Sequence, residues 1–209
     1  MTQKKQIPSL VKDPKLVKKR REQMIEAAVS LFIEKGFHKT TTREIAAKAG
    51  FSIGTLYEYI QSKEDVLYLV CDSIHQQVED RLLEAMKEKE NSLESLKAAM
   101  KHYFMVLNDM QDQVLLIYQE TKSLPKDTLH YVLSREEQIT EIFEEVLKKG
   151  IEDGSIHLDP REIKLMAHNI VVLGEMWVFR RWALTKQFSL EDFIEKQTRL
   201  IVDQLSVAK

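Results

Sequence analysis

Apolar residues recur at the three- and four-residue spacing of an α-helix along most of this 209-residue chain. No segment alternates apolar and polar residues for long enough to predict a β-strand. Only 6 glycines and 4 prolines interrupt the pattern, and apolar residues make up 44% of the chain, so a folded core is expected. The sequence therefore predicts an all-α protein.

The first sixty residues predict three helices. The first begins near Pro14 and ends at Gly36. Thr41 and the glutamate three residues later form a capping box for a helix of barely two turns, which Gly50 ends. Ser52 is placed to cap the third helix. The apolar stripe of the first helix is predicted to contain Ile25, Ala28, Val29, Phe32 and Ile33.

The rest of the chain predicts longer helices with equally regular start signals. Ser62 and Asp65 predict the start of a fourth helix that runs toward residue 88. Asp159 followed by proline, and Ser189 with an aspartate three residues later, mark two further starts. The later helices are predicted at about 92–109, 111–123, 126–152, 160–184 and 190–206.

Charge is divided unevenly along the chain. Residues 1–60 carry twelve Lys/Arg against six Asp/Glu, a net of +6, whereas the remaining residues carry nineteen against twenty-seven, a net of −8. A basic front on an acidic body indicates a polyanionic partner for the front. Residues 1–13 are expected to form a flexible basic arm, and a disordered leader without function is the alternative.

The chain shows no sign of export or of membrane insertion. Its single cysteine, Cys71, excludes an intramolecular disulfide framework and fits a reducing compartment. No signal peptide and no apolar run near the ~18 residues of a membrane span are evident. A cytoplasmic protein without a membrane partner is expected.

Two short helices joined by a glycine-containing turn are typical of a helix-turn-helix, whose second helix enters the DNA major groove. The stretch 52–55, Ser-Ile-Gly-Thr, suits that role, because hydroxyl groups and bare backbone can approach base edges and phosphates. Tyr57 is placed to reach a phosphate, while Leu56 and Tyr59 are expected to face the core. Residues 14–62 are therefore predicted to be a DNA-binding domain.

The span 41-TTREIAAKAGFSIGTLYEYIQSKEDVL-67 resembles the helix-turn-helix signature of the TetR family of bacterial transcriptional repressors. Phe51 and Ile60 depart from the usual residues at positions that the pattern assigns to the core. Lys18, Lys19, Arg20 and Arg21 are expected to add contacts to the DNA backbone or minor groove. The resemblance implies a double-stranded operator as partner and DNA contacts from Thr41, Thr42, Arg43, Ser52, Ile53, Gly54, Thr55, Tyr57 and Lys63.

Residues 63–209 are expected to form a ligand-binding and dimerisation domain, as the resemblance implies. Residues 165–182 are apolar on nearly all sides, which predicts a helix buried on two faces. The last helix carries one apolar stripe, which fits a four-helix interface between two chains of a homodimer. A monomer that uses the stripe for its own core is the alternative. Residues 83–90 are the expected lever through which a ligand changes DNA affinity.

Methionine and aromatic side chains mixed with isolated polar groups predict a mostly apolar effector pocket. An ordinary core with satisfied tyrosine and histidine side chains is the alternative. The arginine pair 180–181 suits either salt bridges at the end of a dimer interface or the anionic head of a ligand. The candidate ligand-binding residues are Tyr103, Leu116, Tyr118, Tyr131, Leu173, Trp177, Arg180 and Arg181.

The segment 144–156 and the Trp-Arg-rich helix after it resemble repressors of lipid catabolism that sense acyl-coenzyme A thioesters. A small amphipathic effector is therefore expected, either a long-chain acyl-CoA or a fatty-acid-like molecule. A cationic or aromatic drug-like effector is the alternative, with Glu120 and Glu175 as its partners. A helical interaction module without specific DNA binding is the competing class.

Catalytic chemistry has little support in the sequence. The six histidines lack the close pairing of a metal site, no glycine-rich phosphate loop is present, and Cys71 falls on an apolar helix face. A non-enzymatic protein without a metal or cofactor is expected.

Overall fold

The computed structural model describes residues 4–85 and 91–206, and within these ranges every regular element is helical. The all-α prediction is confirmed. The α-helices are α1 (Pro14–Lys35), α2 (Thr42–Lys48), α3 (Ile53–Tyr57), α4 (Lys63–Ala85), α5 (Ser92–Asp109), α6 (Gln111–Glu120), α7 (Lys126–Glu152), α8 (Ile163–Phe179), α9 (Arg181–Leu184) and α10 (Leu190–Leu205).

The predicted caps fix most of these boundaries. The Thr41 hydroxyl accepts from the Glu44 amide, and the Glu44 carboxylate accepts from the Thr41 amide at 2.8 Å, which completes the capping box of α2. Ser189 forms the equivalent box at the start of α10. Gly36 and Gly50 end α1 and α2 with φ of 82° and 77°, a backbone conformation that favours glycine.

The apolar face of α1 differs from the predicted stripe. Ala28 and Phe32 are buried as expected, but Ile33 is 41% exposed. The core instead includes Met24, Ala27 and Leu31, each of which precedes a predicted residue by one position. Helical spacing alone leaves this choice open, because α1 carries apolar residues around more than one side. The buried residues of α1 are Met24, Ala27, Ala28, Leu31 and Phe32.

The helix predicted over 160–184 is divided. A 3-10 turn covers Pro160–Glu162, α8 ends at Phe179, and α9 follows as a single turn. Arg180 has φ −109° and ψ 13°, outside the α-helical range, so the chain changes direction between the two helices. The predicted end of α6 is similarly replaced by a 3-10 turn over Thr121–Ser123.

The expected flexible arm is anchored over residues 4–13. The Lys4 ammonium lies 2.6 Å from a carboxylate oxygen of Asp72, Ile7 is buried, and the Leu10 amide donates to the Glu58 carbonyl at 2.8 Å. Asp13 ends the segment as the N-cap of α1. A buried apolar side chain and a carboxylate partner hold this segment against the helices, contrary to the prediction of a free arm. Residues 1–3 of the predicted arm lie outside the described ranges.

The chain divides into two compact units. The first joins the residues up to His75 with Asp112–Arg135, and the second joins Gln76–Gln111 with the residues from Glu136 onward. The division falls within α4 and α7, whereas the sequence analysis placed the boundary after residue 62, at the start of α4. Of the expected lever at 83–90, residues 86–90 lie outside the part of the chain that the structure describes.

The second unit is built around α5, with α8 and α10 packed against it. Phe193 of α10 lies 4.9 Å from Trp177, measured between ring centroids, and is buried with Ile201 and Leu205. The stripe of α10 therefore serves partly as core of the unit itself. By contrast, α8 is not buried on all sides within its unit, because Leu165 is 64% exposed and Val172 58%.

Candidate DNA-binding surface and effector-binding unit

Helix α3 is held by one buried side and presents the other to solvent. Ser52 begins it, with its hydroxyl accepting from the Thr55 amide at 3.0 Å. Leu56 is fully buried and Tyr59 is 3% exposed, as predicted for the core-facing positions. The remaining positions form a solvent-facing row in which Ser52, Gly54 and Tyr57 are exposed and Ile53 and Thr55 are half-buried. The predicted contact residues of α3 are therefore brought together on an accessible face.

Gly54 occupies a position where the fold itself does not require glycine. Its φ is not positive, and a Cβ placed there would find the Ser52 hydroxyl oxygen 3.6 Å away as its nearest neighbour outside the helix backbone. Glycine weakens a helix interior by about 0.8–1.0 kcal/mol relative to alanine. Close approach of another molecule to the backbone is one reason for such a glycine.

The start of α2 borders the same face. Arg43 is exposed, and Thr42 is half-buried with its hydroxyl 3.1 Å from the Tyr57 hydroxyl. This contact joins the two helices through groups that both suit phosphate recognition. The Thr41 hydroxyl is 2.7 Å from the Glu44 carboxylate and serves as the helix cap. A neighbouring Lys35 ammonium and these hydrogen bonds lower the pKa of Glu44 to about 2.

Lys63 has a structural role that the sequence did not indicate. Its ammonium donates to the carbonyl oxygens of Phe37 and Thr40 at 3.0 Å each, and it lies 4.3 Å from the centre of the Phe37 ring. The prediction that Lys63 contacts a DNA phosphate has no support from this geometry, because its donors are used to close the α1–α2 loop.

The basic start of α1 is also divided between two roles. Arg21 donates to the Ile7 carbonyl at 2.7 Å and to the Tyr59 carbonyl at 2.9 Å, so it ties the N-terminal segment to the end of α3. Burial lowers the pKa of its guanidinium. Lys18 and Lys19 are exposed, as a DNA-backbone contact requires.

Three predicted ligand residues belong to the first unit. Leu116 is buried, and Tyr118 is 69% exposed. Tyr131 is buried and donates to the Asp72 carboxylate at 2.8 Å, and desolvation together with this partner raises its pKa. Glu120, the predicted partner of a cationic ligand, instead accepts from the Phe37 amide at 3.3 Å.

The other predicted ligand residues belong to the second unit. Tyr103 and Trp177 are buried, and Leu173 is half-buried. The Trp177 ring nitrogen donates to the Asn108 side chain at 3.0 Å, so its polar atom is satisfied within the unit.

Arg180 and Arg181 lie on the exposed surface at the end of α8. The guanidinium of Arg180 is 5.1 Å from the centre of the exposed Trp182 ring. Such a pair of exposed arginines is available to an anionic group.

A pair of carboxyl groups lies among the helices of the second unit. Glu175 of α8 and Glu136 of α7 share a side-chain hydrogen bond, and burial is the main reason that the pKa of Glu175 rises to about 8. Glu136 and the buried Thr140 were missed by the sequence analysis. Their four-residue spacing within an apolar helix face was the available signal.

Cys71 is fully buried, and desolvation raises the pKa of its thiol to about 12, so it is a core residue and not a nucleophile. Within residues 4–85 and 91–206, no cluster of three or more His, Cys, Asp or Glu is placed to hold a metal ion. Over the same ranges, none of the helices combines the length and apolar character of a bilayer span.

An exposed, hydroxyl-bearing helix that follows a bracing helix across a glycine turn defines a helix-turn-helix DNA-binding protein. Comparison with known proteins gives the particular family. Residues 24–68 match the family model "Bacterial regulatory proteins, tetR family", and residues 89–178 match "Tetracyclin repressor-like, C-terminal domain". The chain belongs to the TetR family of transcriptional regulators, which are not enzymes.

Individual relatives agree with this assignment. The chain is 30% identical to the HTH-type transcriptional regulator HbdR of Aromatoleum sp. (strain CIB) over 209 residues, which cover 100% of this chain and 90% of the relative. It is 28% identical over 134 residues to the fatty acid metabolism regulator protein of Bacillus subtilis, covering 64% and 69%. The structure of FadR from Bacillus subtilis with stearoyl-CoA superposes with a TM-score of 0.71 at 26% identity, covering 88% of this chain and 98% of that one.

Proposed function

We propose that this regulator represses transcription by binding a palindromic operator as a homodimer, and that an amphipathic effector of the acyl-CoA or fatty-acid class releases it. The exposed face of α3, with Gly54 at its centre, is the observation that carries the DNA-binding part of this proposal. Thr42, Arg43 and Tyr57 extend the same face with groups that bind phosphates or base edges.

The dimer part of the proposal rests on α8. Leu165 and Val172 are seven residues apart, so they lie on one side of the helix, and both are more than half exposed in the single chain. Exposed apolar side chains in such a row favour an isologous helix-to-helix interface. Two chains joined there would supply two copies of α3, the number that recognition of two half-sites about 34–36 Å apart requires.

The dimer is tested by light scattering of the purified protein. Val172→Glu in the Leu165→Glu background is expected to yield a monomer that no longer binds a palindromic site. Leu133→Glu changes an equally exposed leucine of α7 and serves as the control. A monomeric wild-type protein, or a double variant that stays dimeric, would refute this interface.

The effector part is supported by the second unit and by a relative. The FadR structure contains stearoyl-CoA, and the B. subtilis relative is named as a fatty acid metabolism regulator. In this chain the buried region around Tyr103 and Trp177 suits an apolar chain, and the exposed Arg180 and Arg181 suit phosphates or a carboxylate.

A gel-shift titration tests the effector. An operator obtained by selection from random duplexes is expected to be released by palmitoyl-CoA and not by coenzyme A alone. Arg181→Ala should weaken this response, whereas Lys186→Ala, which removes another exposed cation nearby, should leave it unchanged. If thioesters of any chain length change neither DNA affinity nor melting temperature, this effector class is wrong.

A further inference from the structure

The side chain of Tyr103 occupies a central place between three helices of the second unit. It is 2% exposed, and its ring meets the Phe143 ring of α7 edge to face, with the centroids 5.5 Å apart. On the other side, one of its ring carbons lies 2.7 Å from the position that a Cβ at Gly174 of α8 would take. Glycine at 174 therefore lets Tyr103 of α5 pack directly against the α8 backbone.

Three more polar side chains belong to the same place. Glu136, Thr140 and Phe143 are four and three residues apart, so they share one face of α7, the face that contacts Tyr103. Glu175 directly follows Gly174 and shares a hydrogen bond with Glu136. We call Tyr103, Glu136, Thr140 and Glu175 the interior polar cluster.

Two hydroxyl groups of the interior polar cluster have no partner. Tyr103 and Thr140 are each 2% exposed, and neither hydroxyl makes a hydrogen bond to any residue that the structure describes. Among the described residues, the fully buried side-chain oxygens without a partner belong to Gln111, Gln197 and Thr198, so the Tyr103 and Thr140 oxygens keep some accessible surface where another molecule can bond. By contrast, the Thr40 and Thr128 hydroxyls, which are also buried, both bond to carbonyl oxygens. A bound molecule that supplies hydrogen bonds would account for the difference.

The chemistry of the interior polar cluster selects the kind of group that fits. Protonated Glu175 can donate and the Glu136 carboxyl oxygens can accept, and the two hydroxyls can do both. A ligand hydroxyl donates and accepts, and thus matches the cluster, whereas a hydrocarbon chain does neither. An ammonium group only donates, so it matches the acceptors of the cluster but not its donors.

We propose that the interior polar cluster binds a hydroxyl group carried on the apolar part of the effector, so that the effector is a hydroxylated acyl chain or an equivalent alcohol. This rests on the proposed function in one respect, namely that the effector enters the second unit. Burial raises the pKa of Glu175, which favours the protonated, hydrogen-bond-donating form at neutral pH and agrees with a neutral ligand group.

Calorimetric titration with dodecanoyl-CoA and its 2-, 3- and 12-hydroxy derivatives tests this proposal. At least one hydroxylated isomer is expected to bind the wild-type protein about 10- to 100-fold more tightly than dodecanoyl-CoA, the range that one or two buried hydrogen bonds provide. The double change Tyr103→Phe and Thr140→Val should abolish this preference, so that the hydroxylated isomer and dodecanoyl-CoA bind the variant with affinities within about twofold of each other.

A matched control separates this effect from a general loss of packing. Thr198→Val removes another buried hydroxyl without a partner, on α10 and outside the interior polar cluster, and should leave the preference intact. The variants are expected to fold, because Tyr103→Phe removes only the hydroxyl group and each Thr→Val change replaces an unpaired hydroxyl by a methyl group of similar size, and circular dichroism checks this. Equal wild-type affinity for every isomer, or a preference that survives in the double variant, overturns the proposal.

A second experiment distinguishes failure of the proposed hydroxyl-binding site from failure of the proposed thioester effector. If no thioester binds, the proposed effector class is wrong, and thermal shifts with 1-octanol and octylammonium decide the site alone. Stabilisation by octanol that the double variant loses supports the hydroxyl site. Stabilisation by octylammonium only, lost in Glu175→Gln, identifies a cation site in its place, and the absence of an octanol shift overturns the hydroxyl site.

Discussion

Replacing Gly54 by alanine separates the needs of the fold from the needs of DNA binding. Since a Cβ at position 54 meets nothing closer than 3.6 Å and the backbone is helical there, the free protein accepts the methyl group. Alanine is better than glycine in a helix by about 0.8–1.0 kcal/mol, which corresponds to a melting temperature about 2–4 °C higher for a chain of this size.

The same methyl group should weaken operator binding. On the exposed face of α3 it would occupy the space through which the backbone approaches the DNA, and loss of a base-edge contact costs about 1–3 kcal/mol. The operator dissociation constant is therefore expected to rise about 5- to 150-fold. Fluorescence anisotropy with a labelled operator at fixed salt gives this value, and differential scanning calorimetry gives the melting temperature.

Thr55→Val serves for comparison with Gly54→Ala, because it changes a half-buried neighbour on the same helix without adding bulk. A Gly54→Ala variant that binds the operator as tightly as the wild type would show that this face does not approach DNA. A large fall in melting temperature would instead mean that glycine is required by the fold, which contradicts the space seen around it.

Three further predictions concern stability. Lys63→Ala should lower the free energy of unfolding by about 1.5–3 kcal/mol in a urea titration, the range for hydrogen bonds from a charged donor. Lys39→Ala, at an exposed position, should change it little. Equal effects of the two substitutions would contradict the loop-closing role of Lys63. Gly174→Ala places a Cβ within 2.7–2.9 Å of three side chains and should lower the free energy of unfolding by about 1–3 kcal/mol. This corresponds to a melting temperature about 2–12 °C lower. An unchanged melting temperature would mean that the packing around Tyr103 is loose. Because the folded state raises the pKa of Glu175 from 4.5 to about 8, the unfolded state loses this proton first, so stability should fall between those pH values by at most about 1.4 kcal/mol per unit. Glu175→Gln should flatten that slope, and a slope identical to the wild type would place the titration elsewhere.

Local signals in the sequence predicted the helices well because caps act over three or four residues. Thr41 with Glu44, and Ser189 with Asp192, each form the box that their spacing indicates. The face of α1 was less determined, since its core side depends on partners far away in sequence.

The contacts that the sequence did not predict are long-range contacts of charged residues. Lys63 reads as a free cation next to a helix start, but it reaches carbonyl groups more than twenty residues earlier. Glu120 reads as a ligand partner, but it bonds to the Phe37 amide, 83 residues away in sequence. No periodicity or cap rule contains such pairings, because they depend on how the helices pack.

The interior polar cluster also depends on contacts between helices that the sequence does not reveal. Glu175 was noticed as a single acidic residue in an apolar helix, but its pairing with Glu136 and the placement of Tyr103 required the structure. Spacing within α7 puts Glu136 and Thr140 on one face, but it does not say that Tyr103 meets that face.

Reading of the DNA sequence by α3 is tested most directly by the ratio of affinities for specific and non-specific duplexes. Anisotropy competition at 0.15 M salt compares a selected operator with a scrambled duplex of the same length and composition. Specific recognition predicts that the operator binds at least about 10³-fold more tightly than the scrambled duplex, and that affinity for both falls steeply as salt rises. Equal affinity for the two duplexes would contradict the account.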